Sequence, residues 1–436
     1  TPHESSAASD VYKRQVLGVG FGPANLSIAI ALEETAQNQE LSYCFLEQKS
    51  HFEWHGGMLL DGTRMQISCL KDLVTLRNPT SPYSFVNYLH SHDRLSSFIN
   101  LGSLHPSRVE FNDYLTWVAN QFDSVVTYGQ RVIDIEPIEV DGEITKVRVV
   151  STDINGNQTV RIAKNLLIGM GGMPKLPELF NGLSDEKVIH SSKYKVWREQ
   201  FNAGTETPKI AVVGAGQSAA EIFVDLTNRY EEGEVHLVNR NFALHPADDS
   251  AFVNEIFDPE FTDHVYKSTD EERKTILSRF NGTNYSVVDT EELSAIYERL
   301  YLQRVTGEGK HQHLRCHDIQ EVGQKEGKIA LRYNDRIHSE QNWHDYDAVV
   351  LATGYRYDQF NQMLNKLEPL MSDKQVERHY RLPMQESCKV NVFLQGCCES
   401  SHGLSDTLLS VLAVRSKEIV DSLFANFETE KVAEEA

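Results

Sequence analysis

The sequence predicts an α/β protein with two Rossmann-like dinucleotide-binding domains and a smaller, mainly helical insertion. The two domains are predicted by two glycine-rich turns, one within residues 16–47 and one within residues 209–240. Each turn stands between an apolar run and a helical segment. The insertion is predicted by a polar tract, rich in Asn, Asp and Ser, that separates the second unit from a later apolar strand at residues 349–355.

The first unit has the order of strand, glycine turn, helix, strand and acid that a dinucleotide-binding fold requires. Its first strand leads into the turn at residues 18–23, a helical segment follows through Leu32, and a second apolar run, Tyr43–Leu46, ends in Glu47. Glycines allow backbone N–H groups to approach a pyrophosphate, and a helix N-terminus attracts the same anion. Glu47 is spaced to receive ribose hydroxyl groups. The predicted cradle residues are Gly18, Gly20, Gly22 and Pro23, and the proline stands where the usual motif has its third glycine.

The second unit repeats this order with a change of charge. The apolar strand Lys209–Val213 leads into a turn at residues 214–219, a helix runs to about Tyr230, and a strand at residues 235–238 is followed by Arg240. An acid at this position favours a free ribose 2′-hydroxyl, whereas an arginine is suited to a 2′-phosphate. The ligand of the second unit is therefore predicted to be NADPH rather than NADH.

Two units with opposite charges at the ribose position indicate an oxidoreductase that uses a flavin and NADPH, with FAD in the first unit. The glycine-proline run at residues 169–174 is typical of the point where a flavoprotein chain crosses to its second domain. The predicted divisions are a disordered leader at 1–14, an FAD-binding domain at 15–200 and 357–436, an NADPH-binding domain at 205–248 and 311–356, and a substrate-binding insertion at 249–310.

Composition excludes some classes of binding partner and indicates the cellular compartment. The 436 residues have a formal net charge of −21, which is unsuited to nucleic acid backbones and to anionic lipid surfaces. The six cysteines are scattered without a C-x-x-C pair, so the sequence predicts neither a metal site nor a redox disulfide and is typical of a reducing cytoplasm. No apolar window approaches the ~20 residues that a membrane-spanning helix needs.

Three stretches admit two interpretations from pattern alone. Trp54 and His55 follow the ribose acid and form either an ordinary turn or a wall along a flavin. Lys71 stands among apolar residues, where a lysine more often extends to solvent than binds a ligand. The polar segments 248–257 and 281–290 are either solvated loops or the lining of a site for a small zwitterion.

Segments spread over residues 16–424 match the motifs of one enzyme family. They are GVGFGPANL, MQISCLKDLVTLRNPTSPYSFVNYL, VVGAGQSAAE, DDSAFVNEIF, TNYSVVDT, ATGY and LQGCCESSHGLSDTLLSVLAVR. With them the chain resembles the microbial N-hydroxylating flavin monooxygenases of siderophore synthesis, and most closely the L-ornithine N5-monooxygenases. The lysine-hydroxylating relatives share the glycine motifs and KDLV but lack the VNEIF and NYSVVDT forms. These two segments therefore imply ornithine, with lysine or a diamine as the alternative substrate.

The resemblance implies N5-hydroxylation of L-ornithine with NADPH and O2 through a C4a-hydroperoxyflavin, without a catalytic protein nucleophile. L-Ornithine and O2 are the implied partners, and we expect a homo-oligomer in the cytoplasm. Beyond the glycine cradle, the implied FAD contacts are Glu47, Trp54, His55, Gln66, Val132, Leu408 and Leu409. The implied NADPH contacts are Gly214, Gly216, Gln217, Ser218, Arg240, Asn284 and Ser286. The implied contacts to the amino-acid head of ornithine are Lys71, Asn254, Asn284 and Ser410.

Three other classes share part of this pattern. A flavin disulfide reductase needs a cysteine pair beside the flavin, and Cys44 and Cys69 are wrongly spaced to form one. A Baeyer–Villiger or broad-specificity flavin monooxygenase would have both glycine units without the Asn-rich tract. A non-catalytic dinucleotide sensor could keep the glycines while losing Lys71 and Asn254, and both of these residues are present here.

Overall fold

Two sheets, one mixed and one parallel, organise the chain. The computed structural model describes residues 12–36 and 41–435. The strands, in chain order, are β1 (Tyr12–Val19), β2 (Tyr43–Leu46), β3 (Val126–Thr127), β4 (Arg131–Val140), β5 (Glu143–Thr152), β6 (Gln158–Ile168), β7 (Met173–Pro174), β8 (Val188–His190), β9 (Lys209–Val213), β10 (Glu234–Val238), β11 (His245–Pro246), β12 (Val287–Val288), β13 (Gln312–Leu314), β14 (His317–Lys325), β15 (Lys328–Asp335), β16 (Glu340–Tyr346), β17 (Ala348–Leu351), β18 (Tyr355–Arg356) and β19 (Asn391–Leu394).

Some of the α-helices begin at a residue whose side chain caps the first turn. Ser84 and Ser107 accept hydrogen bonds from backbone amides of the first turns that follow them, and Thr269 forms a capping box with Glu272. The α-helices are α1 (Pro23–Thr35), α2 (Phe85–Ser91), α3 (Leu95–Asn100), α4 (Arg108–Ala119), α5 (Tyr194–Gln200), α6 (Gln217–Arg229), α7 (Ala251–Asn254), α8 (Pro259–Lys267), α9 (Asp270–Phe280), α10 (Thr290–Thr306), α11 (Gln359–Met363), α12 (Glu399–His402) and α13 (Leu412–Glu435).

The first sheet has the order β3-β2-β1-β6-β5-β4, and β19 also pairs with β6. The first half of β6 pairs antiparallel with β5 and its second half pairs parallel with β19, so both strands lie on the same edge of β6. Helix α1 packs against α13, and residues 25–32 of α1 are all buried. The C-terminal part of the chain therefore completes the unit that the N-terminal part begins.

The N-terminal strand is longer than the sequence pattern indicated. β1 begins at Tyr12 and pairs with β6 from there, so the end of the predicted leader at 1–14 belongs to the sheet. Residues 1–11 of that predicted leader lie outside the described residues.

The second sheet is parallel throughout, with the order β13-β10-β9-β17-β8. Its strand β8 falls within residues 15–200, which the sequence assigned to the first domain. The boundary predicted at residue 200 is therefore too late, because β8 pairs with β17 and α5 contacts β8. The first unit ends where the chain leaves β6.

The chain passes between the two units twice, and the two connecting segments, called the crossing from here on, run side by side. β7 leads from the first sheet towards the second, β18 leads back, and the two pair antiparallel. Gly171 (φ +68°) and Gly354 (φ +78°) adopt the left-handed conformation at this crossing, which glycine tolerates best. A side chain on Gly172 would meet Tyr355 and Tyr357 at 2.8 Å, so the two passages are in close contact.

The predicted insertion at 249–310 divides into two parts. Helices α8 and α9 pack against α12 of the first unit, and a Cβ on Gly403 would lie 3.3 Å from Val265 of α8. Helix α10 instead packs against α6, its Ile296 joins the core of the second unit, and Arg299 donates to the carbonyl of Thr227. The insertion proper therefore ends before α10, which is an integral helix of the second unit.

A three-stranded antiparallel sheet, β14-β15-β16, covers the second sheet. Its residues Ile329, Leu331 and Tyr333 form one buried cluster with Val349 and Leu351 of β17. Among the helices of the described residues, none is both long enough and apolar enough to cross a membrane.

Candidate active site

The first glycine turn is held closed by Asn25, a buried side chain whose role the sequence analysis missed. Its Nδ2 donates to the carbonyls of Val19 (3.1 Å) and Gly20 (2.7 Å), and its Oδ1 accepts from Gln395 Nε2 at 2.6 Å. The local sequence signal for this role is a polar residue in a stretch of α1 that is otherwise mostly apolar and buried. A Cβ on Gly20, where φ is +86°, would lie 2.4 Å from the carbonyl oxygen of Gly169. Gly20 therefore permits the chain to close on the crossing rather than facing a ligand.

The other residues of the turn differ in what surrounds them. A Cβ on Gly18 would overlap the ring of Phe45 at 2.1 Å, so this glycine permits strand-to-strand packing. Gly22 precedes α1, Pro23 occupies the first turn, and a Cβ on Gly22 would meet nothing within 4 Å. The open cradle of this turn lies at Gly22, where a helix N-terminus offers free amides. These features fit a pyrophosphate.

Glu47 lies beside that cradle, at the end of β2. Its Oε2 accepts the amide of Phe21 at 2.7 Å and its Oε1 accepts the amide of Lys49 at 2.9 Å. Its backbone carbonyl accepts the amide of Gln130 at 2.8 Å, which brings the start of β4 and the buried Val132 to this end of the sheet. A carboxylate has further lone pairs after two such bonds, so it remains able to receive ribose hydroxyls.

Trp54 and His55 connect the region of Glu47 with the crossing. The indole of Trp54 packs on Phe111 with ring centroids 5.9 Å apart, and its amide donates to Asn112 Oδ1 at 2.9 Å. His55 has a φ of +50°, and its ring centroid lies 6.1 Å from that of Tyr355. The predicted flavin wall therefore extends from the first unit to the tyrosines of the crossing.

A cavity of about 460 Å³ opens at the crossing. Within it the Tyr285 hydroxyl donates to Glu399, which connects the insertion with α12. Burial raises the pKa of the Glu399 carboxyl, and the hydrogen bond from Tyr285 offsets part of this rise. Neither residue of this contact was among those predicted from the sequence. The lining residues are Leu277, Tyr285, Tyr355, Tyr357, Asp358, Phe360, Cys397, Glu399, Ser400 and Thr407.

The segment between α12 and α13 adds buried hydroxyl groups to this region. Within the described part of the chain, the buried Oγ atoms of Ser405 and Ser410 have no hydrogen-bond partner. Leu408 and Leu409, two of the predicted FAD contacts, are half-buried in the same segment. Buried hydroxyls without partners are uncommon, and either a ligand or an ordered water supplies the missing bonds at such positions.

The second glycine turn differs from the first in its surroundings. Gly214 is closed by Ala352, whose carbonyl oxygen would lie 2.4 Å from an added Cβ. A Cβ on Gly216 would lie 3.6 Å from the Cα of Ser286, so the fold brings these two predicted NADPH contacts together. Ser286 has a φ of +59°, which is uncommon for a residue other than glycine and occurs mainly at turns and functional sites. Ser218 follows Gln217 in the first turn of α6.

A network of polar side chains crosses from the first unit to the N-terminus of α6. Arg108 binds Glu221 through two bonds of 2.7 and 2.6 Å, and Glu221 accepts from Gln217 at 2.9 Å. Gln217 accepts the amide of Asp289 at 2.8 Å, and Asp289 accepts from Gln66 at 2.9 Å. Gln66, a predicted FAD contact, thus reaches the second unit. The network connects the first unit with the second glycine turn, because Gln217 stands at the start of α6 directly after that turn.

The residues predicted for the substrate head lie around the insertion. Lys71 Nζ lies 3.4 Å from Asp258 Oδ1, so this lysine extends from the first unit to the residue that precedes α8. Asn254 Nδ2 donates to the carbonyl of Asp249, which leaves its Oδ1 available. Asn284 follows a short 3₁₀ helix and immediately precedes Tyr285. Ser410 lies in the buried segment between α12 and α13.

Arg240 is exposed just beyond the end of β10, as the sequence analysis expected. Its backbone carbonyl accepts a hydrogen bond from the guanidinium of Arg336. Its own side chain makes no ion pair within the described residues, so its charge is available to a ligand.

Comparisons with known proteins agree with this fold of two units. Residues 13–357 match the family model described as L-lysine 6-monooxygenase/L-ornithine 5-monooxygenase. The chain is 44% identical to the L-ornithine N(5)-monooxygenase of Pseudomonas aeruginosa over 97% of this chain and 96% of that protein.

Two solved structures have a similar fold. The ornithine hydroxylase of Pseudomonas aeruginosa superposes with a TM-score of 0.91 at 45% identity, covering 95% of this chain and 100% of that one. The ornithine N-hydroxylase of Kutzneria sp. 744, in complex with reduced FAD, NADP⁺ and L-ornithine, gives 0.88 at 34% identity, covering 95% and 99%.

Proposed function

The chain belongs to the L-lysine 6-monooxygenase/L-ornithine 5-monooxygenase family, and from that membership we propose that it is an FAD-dependent L-ornithine N5-monooxygenase that uses NADPH and O2. One structural feature supports this proposal most directly. Each of the two units has a glycine turn of the dinucleotide-binding kind, and an aromatic cavity at the crossing between the units is lined in part by Leu277 and Tyr285 of the polar insertion. This is the arrangement that hydride transfer followed by hydroxylation of a small amine requires.

The residues of the first unit fit FAD. Gly22 offers the open amides for the pyrophosphate, and Glu47 offers the acceptor for the ribose. In the second unit, Gly216 and Ser286 would border the NADPH pyrophosphate, and Arg240 would meet the 2′-phosphate. Bound FAD would supply what no side chain here can, acceptance of a hydride and activation of O2.

The contribution of the protein is placement and exclusion of water. The cavity is bordered by Tyr285, Tyr355, Tyr357 and Phe360, whose rings limit the access of bulk water. An aliphatic amine has a pKa near ~10.4, and a lining poor in water favours its neutral, nucleophilic form. The lining acts on this pKa in both directions, because the aromatic rings favour the neutral amine while the carboxyl groups of Asp358 and Glu399 favour the ammonium form.

The amino-acid head of ornithine is assigned to the insertion side of this region. Lys71 is suited to the α-carboxylate, and Asn254, Asn284 and Ser410 supply hydrogen bonds to the remaining head-group atoms. Lys71 already lies within reach of an acid, Asp258, so its charge is held at the boundary between the first unit and the insertion. Lysine or a diamine is the alternative substrate.

A product assay tests the proposal. The protein loaded with FAD is incubated with NADPH and ornithine, lysine or putrescine, and the hydroxylated products are identified by mass spectrometry. N5-hydroxyornithine should be the main product. Hydroxylated lysine or putrescine in its place would select the alternative, and NADPH oxidation without any hydroxylated amine would contradict the proposed activity.

Replacing Gly22 by valine is expected to give folded protein without bound flavin, because the new side chain occupies space that the pyrophosphate needs. The measurement is flavin absorbance per protein after purification in excess FAD. Gly20→Val should differ, since a side chain there meets the backbone of Gly169 and the loss is of stability.

Gly323→Val is the matched control for this experiment. This glycine of β14 also has open space around it, yet it lies far from the turn in the chain. The control should keep its FAD. Normal flavin content in Gly22→Val, at unchanged affinity, would mean that the turn does not cradle FAD.

The domain limits follow from the same proposal. We propose that the FAD unit consists of residues 12–172 and 357–435, that the NADPH unit extends over residues 175–356, and that the insertion occupies residues 249–288 of the latter. The homo-oligomer and the cytoplasmic location expected from the sequence stay predictions, which light scattering and cell fractionation would check.

A further inference from the structure

Two strand ends of the second sheet present arginines side by side. β13 runs parallel to β10 with Leu314 opposite Val238, so Arg315 leaves the sheet at the same edge as Arg240. Three backbone hydrogen bonds join the two strand ends. The amide of Asn239 donates to the carbonyl of Leu314 (3.2 Å), and the amides of Cys316 and His317 donate to the carbonyls of Asn241 (3.1 Å) and Asn239 (3.0 Å). The carboxyl edge of a parallel sheet is where ligands of such folds bind.

The charges at this edge are not neutralised by the protein. Neither Arg240 nor Arg315 makes an ion pair within residues 12–36 and 41–435, although the chain has a net charge of −21 and acids are plentiful. Arg336, which contacts the same edge, differs because it pairs with Asp318 at 3.0 Å. Two unpaired guanidinium groups at one edge favour an anion with more than one negative charge.

An exposed aromatic ring accompanies Arg315. The guanidinium carbon lies 5.0 Å from the ring centroid of Phe242, and Phe242 is 62% exposed. A cation–π contact restricts the arginine to one region of space before any ligand arrives, which lowers the entropic cost of binding. The exposed ring also offers a flat apolar surface of the kind on which a nucleobase stacks.

We propose that Arg315 and Phe242 complete the site for the 2′-phosphoadenosine end of NADPH, and that they determine the choice of NADPH over NADH together with Arg240. This rests on the proposed function, which supplies NADPH as the reductant. The 2′-phosphate has close to two negative charges at neutral pH, so it engages both arginines, while Phe242 faces the adenine. The alternative is that Arg315 only covers an exposed ring.

The test measures binding without turnover. The Kd values of 2′,5′-ADP and of 5′-AMP are determined by calorimetry on the FAD-loaded protein, and kcat/KM of anaerobic flavin reduction is measured with NADPH and with NADH. Arg315→Ala should weaken 2′,5′-ADP and lower kcat/KM for NADPH by about ten- to a hundredfold, with 5′-AMP and NADH nearly unchanged. Arg315→Lys should recover part of the loss.

Phe242→Ala separates the two roles, because it should weaken 2′,5′-ADP and 5′-AMP by the same factor, roughly three- to tenfold. Arg229→Ala is the matched control. Arg229 is an exposed arginine at the end of α6 in the same unit, and its guanidinium lies 5.9 Å from the ring centroid of Tyr230. Its loss should leave the Kd values of 2′,5′-ADP and 5′-AMP unchanged.

Three outcomes would overturn the inference. Unchanged binding in Arg315→Ala, while Arg240→Ala abolishes the preference for 2′,5′-ADP, would remove Arg315 and leave the proposed function standing. Equal losses for both ligands in Arg315→Ala would indicate a structural role. A wild-type protein that binds 5′-AMP as tightly as 2′,5′-ADP would remove NADPH from the proposed function and this site with it.

Discussion

Lysine given in place of ornithine is expected to be hydroxylated about a hundredfold more slowly, with most of the oxygen leaving as hydrogen peroxide. The expectation follows from a clamp at the amino-acid head, which leaves the length of the side chain to decide where the amine lies. Lysine is one methylene longer, so its amine passes the reacting position by roughly an ångström, and misplacement of this size has a large effect on rate. The assay counts hydroxylated product against NADPH consumed.

Lys71→Ala tests the clamp directly. It should raise KM for ornithine at least about tenfold, because a charge-assisted contact contributes ~1.5–3 kcal/mol. Flavin reduction by NADPH should stay nearly normal, since the lysine has no part in it. An unchanged KM in this variant, or equal hydroxylation of lysine and ornithine by the wild type, would show that the head is not clamped in this way.

Asp258→Asn is the matched control for Lys71. It removes the acid that lies 3.4 Å from the ammonium group while keeping the cation and the shape of the residue. The pair is partly exposed, so its loss should have little effect on stability. If Lys71 binds the substrate carboxylate, this variant should keep a KM close to that of the wild type. A tenfold rise would instead mean that the ion pair matters only for holding the insertion.

Replacing Asp406 by alanine is expected to cost about 3–5 kcal/mol of stability, the largest structural effect that we predict for a single residue. Asp406 and Arg415 are both buried, and Asp406 Oδ1 lies 2.8 Å from Arg415 Nη1. Asp406 Oδ2 also accepts the amide of Cys398 at 2.6 Å. Without the acid, the buried guanidinium of Arg415 would lose its counter-charge. Urea unfolding of the FAD-loaded protein gives the measurement.

Two further variants show whether the unpaired charge is the cause. The double variant Asp406→Leu with Arg415→Met should regain most of the stability, because neither charge then remains buried. Lys366→Ala removes an exposed lysine that binds Asp134 and Glu136, and its urea midpoint should barely move. An Asp406→Ala protein as stable as the wild type would mean that water reaches Arg415.

The sequence predicted the elements whose signals are local. Each glycine turn lies within one βαβ unit of about thirty residues, so strand, turn and helix can be recognised together. β8 could not be assigned in this way, because it is three residues long and its partner β17 lies far along the chain. The same holds for α10, whose association with α6 depends on burial of Ile296 rather than on any motif.

The site was predictable to a similar extent. The cradle was recognised as a motif, but only the surroundings of each glycine separate Gly22, which is open, from Gly20, which contacts the crossing. Contacts between distant residues leave no trace in a single sequence. Arg108 and Glu221 are 113 residues apart, and Tyr285 and Glu399 are 114 apart.

The interruption of the first unit by the second has a consequence for biosynthesis. All strands of the second sheet lie between Val188 and Leu351, whereas the first sheet needs β19 and its cover needs α13. A ribosome making this chain therefore releases the complete NADPH unit while the FAD unit still lacks its last strand. During that time the incomplete FAD unit exposes the part of the β6 edge that later pairs with β19. Chaperones should therefore bind this exposed edge rather than the completed NADPH unit. Limited proteolysis of ribosome-bound chains stalled near residue 400 would check this order, because β17 has then left the exit tunnel while β19 is still inside it. Protection is expected first in the central segment.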